Sequence, residues 1–258
     1  MNSPHTRWFE NAQRGREGAP RLFCFPYAGG SAQVYRSWQR QFTPEVTLSL
    51  AHLPGRAMRI SEPPFRRIKP LVEALAQAMV PRPETPFAFW GHSMGALISF
   101  ELARELRRLG RNGPVALFVS GRTAPQVPDH DPPTFNLPEK EFIAELRRLN
   151  GTPKEVLDSP ELTQLFLPVI RADFELVENY VYEPEEPLDC PIHVYGGLED
   201  SAVPTGNLKA WQIQTSGPCA TRMFPGGHFF VHTCAADVIS ILRRDVFNYL
   251  AGKPVKRS

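Results

Sequence analysis

A serine between glycines, Gly91-His92-Ser93-Met94-Gly95, follows the apolar run Phe87-Ala88-Phe89-Trp90 and precedes a segment of helical spacing. A chain forced from strand to helix in so tight a turn leaves its central residue strained. The flanking glycines let neighbouring backbone approach without Cβ clashes. Such a turn presents the Ser93 hydroxyl at the top of a sheet and at the start of a helix, whose amides and dipole favour developing negative charge. The chemistry implied is nucleophilic attack on an acyl carbonyl through an acyl-serine intermediate.

A serine hydroxyl is a poor nucleophile at neutral pH, so a general base must lie within reach. The chain has seven histidines. His5 lies near the N-terminus, His92 is next to the nucleophile, His130 sits in a Pro-rich stretch, and His52 and His193 fall inside apolar runs where packing is the expected role. His228, in the Gly-rich loop Pro225-Gly226-Gly227-His228-Phe229-Phe230, is the preferred base, with His232 as the second choice. The imidazole needs a carboxylate to hold its tautomer and stabilise its cation. In α/β hydrolases that acid lies between the serine and the histidine at a strand end. Ile192-His193-Val194-Tyr195-Gly196-Gly197-Leu198-Glu199-Asp200 fits, with Asp200 preferred because it ends the loop before Val203-Pro204, and Glu199 as runner-up. Asp173 and Asp189 are less suitably placed. The tetrahedral oxyanion needs amide donors. One is expected at Met94, directly after the nucleophile, and the second at Ala28 in the run Phe25-Pro26-Tyr27-Ala28-Gly29-Gly30. No His-Glu-x-x-His, phosphate-cradling loop with Lys or dinucleotide fingerprint occurs, so no metal, nucleotide or flavin cofactor is expected.

Positioning these residues takes a sheet with helices. Short apolar runs bounded by Gly and Pro recur at Leu22 to Tyr27, Val46 to Leu53, Phe87 to Trp90, Val115 to Ser120 and Ile192 to Tyr195, with a further strand-like run at Thr221 to Phe224. Helical spacing marks Ile68 to Val80 and Ala96 to Leu109 between them. The alternation predicts an α/β fold with a mostly parallel sheet covered on both faces. From about Thr123 to Leu188 there is no convincing strand; a Pro-rich stretch leads into helical patterns at Pro138 to Leu149 and Glu161 to Tyr180. This reads as a helical insertion over the strand ends, hence a lid.

The 258 residues are expected to form a single domain. A hydrophobic fraction of 42% without any bilayer-spanning run does not suggest a membrane protein, and a net charge of +2 is too small to imply a nucleic-acid partner. The polar stretch Met1 to Gly18 lacks the apolar core of a secretory signal and reads as a short leader before the first strand; a cytoplasmic location is expected. Cys24, Cys190, Cys219 and Cys234 read as buried free thiols. Arg104, Arg107, Arg108 and Arg111, and again Arg147 and Arg148, read as solvated helix faces, although such a patch also suits an acidic partner.

Taken in order, Phe25-Pro26-Tyr27-Ala28-Gly29-Gly30, Leu53-Pro54-Gly55-Arg56, Gly91-His92-Ser93-Met94-Gly95, Ser120-Gly121-Arg122-Thr123-Ala124-Pro125, Leu149-Asn150-Gly151-Thr152-Pro153, Arg171-Ala172-Asp173-Phe174 and Gly226-Gly227-His228-Phe229-Phe230 resemble the type II thioesterases, the free-standing editing enzymes of polyketide and nonribosomal peptide synthesis. The resemblance spans about Leu22 to Leu250 and implies the α/β-hydrolase fold with a helical lid. It implies hydrolysis of acyl groups from the phosphopantetheine arm of acyl or peptidyl carrier proteins, without a cofactor and as a monomer. The family triad falls on Ser93, Asp200 and His228 and its oxyanion amides on Ala28 and Met94, in agreement with the residue-level reading. One departure is Ala57, where the family usually has Glu after Leu-Pro-Gly-Arg. Apolar residues of the insertion such as Phe142, Leu146, Leu165 and Phe166 either line an acyl chamber or pack the lid against the body. Rival readings are a carboxylesterase or lipase with the same triad, a medium-chain fatty acyl carrier protein thioesterase, and a non-catalytic carrier-binding module.

Overall fold

Each apolar run singled out above becomes a strand in the computed structural model, which describes residues 7–11, 18–79, 85–129 and 131–250. His5 and His130 lie outside the described residues. The strands are β1 (Phe9–Asn11), β2 (Arg21–Phe25), β3 (Thr47–Ala51), β4 (Phe87–His92), β5 (Leu117–Ser120), β6 (Ile192–Gly197) and β7 (Cys219–Phe224). They form one seven-stranded sheet in the order β1-β3-β2-β4-β5-β6-β7. All neighbours pair in parallel except β1, which runs antiparallel to β3.

Strand periodicity sends alternate side chains to opposite faces, and here each face has its own core. Phe23, Phe25, Phe87 and Phe89 pack on one side with helices α1 (Ile68–Ala78) and α2 (Met94–Arg108). Leu22, Cys24, Ala88 and Trp90 pack on the other, under the 3-10 helix Ala32–Gln41 and the last helix, Ala235–Leu250. Continuous apolar runs are therefore what a doubly covered parallel sheet requires.

Between β5 and β6 the chain is helical among its described residues: α3 (Glu139–Leu149), α4 (Lys154–Asp158) and α5 (Pro160–Glu178). Glu139 and Glu141 open α3, and Arg147 and Arg148 close it, each pair complementing the helix dipole. α5 starts on a Ser159 cap whose Oγ accepts from Leu162 N at 3.3 Å, with Pro160 in the first turn. The insertion buries its own cluster of Phe142, Leu146, Leu157, Leu167, Val169 and Ile170. Phe142 and Leu146 thus pack inside the insertion rather than against the sheet, and Leu165 faces solvent at 51% exposure.

Three expectations need correction. The stretch read as a leader contains β1: Phe9 is buried and meets Phe23 edge-on, and Trp8 O accepts from His52 N. The arginine patch at α2 is solvated only in part, with Arg108 and Arg111 exposed. Arg104 is buried and pairs with Glu101 and Glu185 at 2.6 and 2.7 Å, while Arg107 and Arg108 also reach Glu185. The four cysteines are free, but only Cys24 and Cys190 are buried. Among the described residues no helix is long and apolar enough to cross a membrane.

Two outcomes follow from this packing. Phe142→Ala is expected to cost about 3–5 kcal/mol in urea unfolding and to raise amide exchange in α3 and α5 first; simultaneous loss of protection in β4 and β5 would show that the insertion has no separate core. Partial burial raises the Glu185 pKa, but hydrogen bonds from Arg107 and Arg108 and the Arg104 charge outweigh it and hold the carboxyl at about 2, against 4.5 as the ordinary value. A depressed folded-state pKa stabilises above the unfolded value and loses that contribution as pH falls through the folded one. Glu185→Gln is expected to flatten the loss of stability between pH 4.5 and about 2, read as the pH dependence of the thermal midpoint; an unaltered acid limb would refute the assignment.

Candidate active site

Ser93 stands between β4 and α2 with φ 53° and ψ −115°, a conformation that costs a non-glycine residue about 1–3 kcal/mol. The surroundings hold it there. Ser93 N donates to Ser120 O at 2.8 Å, tying the turn to β5. A Cβ on Gly91 would fall 2.0 Å from Gly95 O, and one on Gly95 would fall 2.1 Å from Phe25 O. Only glycine fits at either position, and the second contact presses the start of α2 onto the loop that leaves β2.

That loop carries the Ala28 amide. Residues Tyr27 to Gly30 form a turn closed by Gly30 N donating to Tyr27 O at 2.9 Å. The Met94 amide lies in the first turn of α2, where backbone N–H groups have no partner inside the helix. Both candidate oxyanion donors therefore sit on the two segments that Gly95 brings into contact.

The candidate base and acid come from the other half of the sheet. Asp200 follows β6, and His228 follows β7, in the loop leading to the short helix Phe230–Thr233. His228 Nδ1 and Asp200 Oδ2 are 2.7 Å apart, with the carboxylate 2% and the imidazole 20% exposed. Ala202 N donates to Asp200 Oδ1 at 3.1 Å and orients the carboxylate. A buried carboxylate on Nδ1 leaves Nε2 as the ring nitrogen free to take a proton.

The alternatives separate cleanly. Glu199 is exposed, and its N donates to Gly226 O. His232 pairs with Tyr27 Oη at 2.9 Å, and burial lowers its pKa. His52 and His193 are buried against Glu10 and Tyr249. Asp173 is held by Arg56 at 2.7 Å.

His92 adjoins the nucleophile in sequence, and its ring packs on His228 with centroids 5.0 Å apart, placing the residue before Ser93 against the candidate base. Its Nδ1 is 3.0 Å from Ser120 Oγ. Burial, then the proximity of His228 and His232, pushes its pKa well below the ordinary histidine value. His92 is a neutral packing element. Tyr27 and Phe229, edge-on to each other at 5.1 Å, complete the aromatic wall. Both lie inside motif runs, but nothing in their spacing marks them as partners. Among the described residues, no group of three or more His, Cys, Asp or Glu is placed to hold a metal ion.

The family described as the Thioesterase domain matches residues 20–246. The gramicidin S biosynthesis protein GrsT of Aneurinibacillus migulanus is 43% identical over 247 residues, covering 96% of this chain and 96% of that protein. LgrE of Brevibacillus parabrevis, named linear gramicidin dehydrogenase, is 40% identical over 250 residues, covering 96% of this chain and 95% of LgrE. The present chain has no Gly-x-Gly-x-x-Gly run of the kind that binds dinucleotides. Among solved structures, the type II thioesterase BorB from the borrelidin biosynthetic cluster matches with a TM-score of 0.85 at 35% identity, covering 95% of this chain and 98% of BorB. The family match runs from just before β2 into the last helix and so takes in every element that carries the site: the chain belongs to the thioesterase family, on the α/β-hydrolase fold.

Proposed function

We propose that the protein is a type II thioesterase that hydrolyses acyl groups from the phosphopantetheine arm of an acyl or peptidyl carrier protein in polyketide or nonribosomal peptide synthesis, with Ser93, His228 and Asp200 as its triad. The observation that carries the triad is the 2.7 Å pairing of His228 Nδ1 with the buried Asp200 carboxylate, beside the strained turn at Ser93. The substrate class rests on the family match and on the likeness to BorB.

In the reaction, Ser93 Oγ attacks the thioester carbonyl as His228 Nε2 takes the hydroxyl proton. The carbonyl oxygen becomes an oxyanion, met by the amides of Ala28 and Met94. Collapse breaks the C–S bond, the thiol leaves with the proton, and an acyl-serine remains. Water then attacks the acyl-serine with His228 again as base, releasing the acid and restoring Ser93. A thiolate whose conjugate acid has a pKa of about 8.5 needs little protonation to depart. No cofactor enters any step. The insertion, following β5 at the carboxyl edge of the sheet, acts as the lid.

Ser93→Ala is expected to abolish turnover while leaving carrier binding intact; residual turnover would refute the mechanism. Asp200→Asn should lower kcat by about 10⁴-fold, by analogy with serine proteases, and Glu199→Gln should leave it unchanged, with the reverse pattern moving the acid to Glu199. For the substrate class, hydrolysis rates of acylated carrier proteins and of simple oxygen esters of the same acyl chain should favour the carrier; preference for the ester would make the protein a carboxylesterase.

A further inference from the structure

Two sequence runs with no part in the steps above, Leu53-Pro54-Gly55-Arg56 and Arg171-Ala172-Asp173-Phe174, meet behind the oxyanion loop. Arg56 Nη1 and Nη2 donate to Asp173 Oδ2 and Oδ1, both at 2.7 Å, in a bidentate pair whose members are 6% and 2% exposed. The pair is not closed on itself. Asp173 Oδ2 also accepts from Gly29 N at 2.8 Å, and Arg56 Nη1 also donates to Gly30 O at 3.1 Å. The ion pair therefore grips the turn Tyr27 to Gly30 by one peptide N–H and one peptide carbonyl.

Which N–H is gripped matters. Gly29 occupies the third position of this turn with φ 74°, the positive value required of a type II turn. Types I and II differ by a flip of the central peptide, here the one joining Ala28 to Gly29. Asp173 accepts from the N–H of that same peptide, so it fixes which way the peptide faces. That peptide directly follows Ala28, so the donor sits in a turn anchored at its next two residues, at Gly29 N and Gly30 O. α5 holds the turn a second time one helical turn earlier, where a Cβ on Gly29 would meet Ile170 Cγ1 at 3.1 Å. A buried ion pair is weak evidence for stability, because apolar side chains of equal volume do as well or better. What apolar residues cannot supply is an acceptor for Gly29 N and a donor for Gly30 O.

We propose that Arg56 and Asp173 are positioning residues for the oxyanion amide of Ala28, and that through them the geometry of this donor depends on the seating of α5, the longest helix of the insertion. The proposal rests on the catalytic reading given above. Neither residue touches the reacting atoms. The pair seats the turn that carries the donor, so an insertion displaced at α5 frees that turn to shift and weakens the site without moving Ser93, His228 or Asp200.

The test uses the full-length protein, an acyl thioester of pantetheine, and an alkyl boronic acid, which forms a tetrahedral adduct on a nucleophilic serine and places an oxygen where the oxyanion forms. In Asp173→Asn and in Arg56→Lys, which keeps the charge but loses the fork, kcat is expected to fall with KM little changed. The fall in Asp173→Asn should reach about 10²-fold, the lower end of what losing one oxyanion donor costs. Boronate affinity should fall in parallel across the two variants, and the double variant should be no worse than Asp173→Asn, because the residues act as one unit. Circular dichroism and the thermal midpoint identify any variant that has not folded, and Arg56→Lys serves where Asp173→Asn fails. A folded variant with unchanged kcat, or with lowered kcat but unchanged boronate affinity, overturns the proposal. Activity remaining in Ser93→Ala overturns the catalytic reading instead, and the proposal with it.

Discussion

The contact on which the rest of the site depends is the one between Gly95 and the carbonyl of Phe25, where a single methyl group would come within 2.1 Å of the oxygen. It joins the first turn of α2 to the exit of β2, and so sets the spacing between the segments bearing Met94 and Ala28. The sheet order makes the contact available. β2 and β4 are parallel neighbours in register from Arg21 opposite Phe87 to Phe25 opposite Gly91, so both strands end at the same edge. β6 and β7 end at that edge as well, through an unbroken series of parallel pairs. Four loops leaving parallel strands thus gather Ser93, the candidate base and acid and the two candidate amides, the place where open α/β sheets bind ligands.

How much of this the sequence disclosed follows from the range of each interaction. The turn at Ser93 is encoded within one run of residues, and His228 and Asp200 were legible because each sits in a loop directly after an apolar strand. The choice between Asp200 and Glu199 could be ranked from the sequence, but it became geometry only once the chain showed one side chain buried and its neighbour exposed. Long-range pairs left no local trace. Arg56 and Asp173 are 117 positions apart, and Glu185 is 77 positions or more from the arginines it neutralises. Nothing local therefore marks Arg104 as the buried member of its cluster, since its counter-charge Glu185 lies on a distant segment. β1 was invisible for another reason: three residues at a sheet edge are too short to show a period of two, and their stability comes from Phe9 packing on Phe23 and Phe25.

Three imidazoles crowd the site, and environment alone assigns their roles. His92 is fully buried beside two other rings and is kept neutral, so it packs without competing for the proton. His232 is turned toward Tyr27 and stacks on Phe229. Only His228 meets a buried carboxylate on one nitrogen while remaining partly open to solvent. Charge on a ring is favoured where a fixed anion faces it and disfavoured where burial is uncompensated. For His228 it is geometry that fits the proposed role of base, with Asp200 on Nδ1 and Nε2 left over.

The distribution of constraint in the molecule matches the demands of thioester hydrolysis. An amide needs its leaving nitrogen protonated, so a peptidase must perfect both the base and the acid side of its reaction. A thiolate departs largely unaided, which leaves formation of the oxyanion as the step that most needs the protein. Here the rigid features converge on that side: the strained Ser93 backbone, the Gly95 contact, and the turn gripped at Gly29 and Gly30 by a buried ion pair. The insertion has its own apolar core yet sends Asp173 and Ile170 from one helix face to that turn. If the insertion is the lid and the turn it grips carries the oxyanion donor, as proposed above, closure over the acyl chain is tied to the donor the transition state requires, so binding energy gained along the chain can be expressed at the carbonyl.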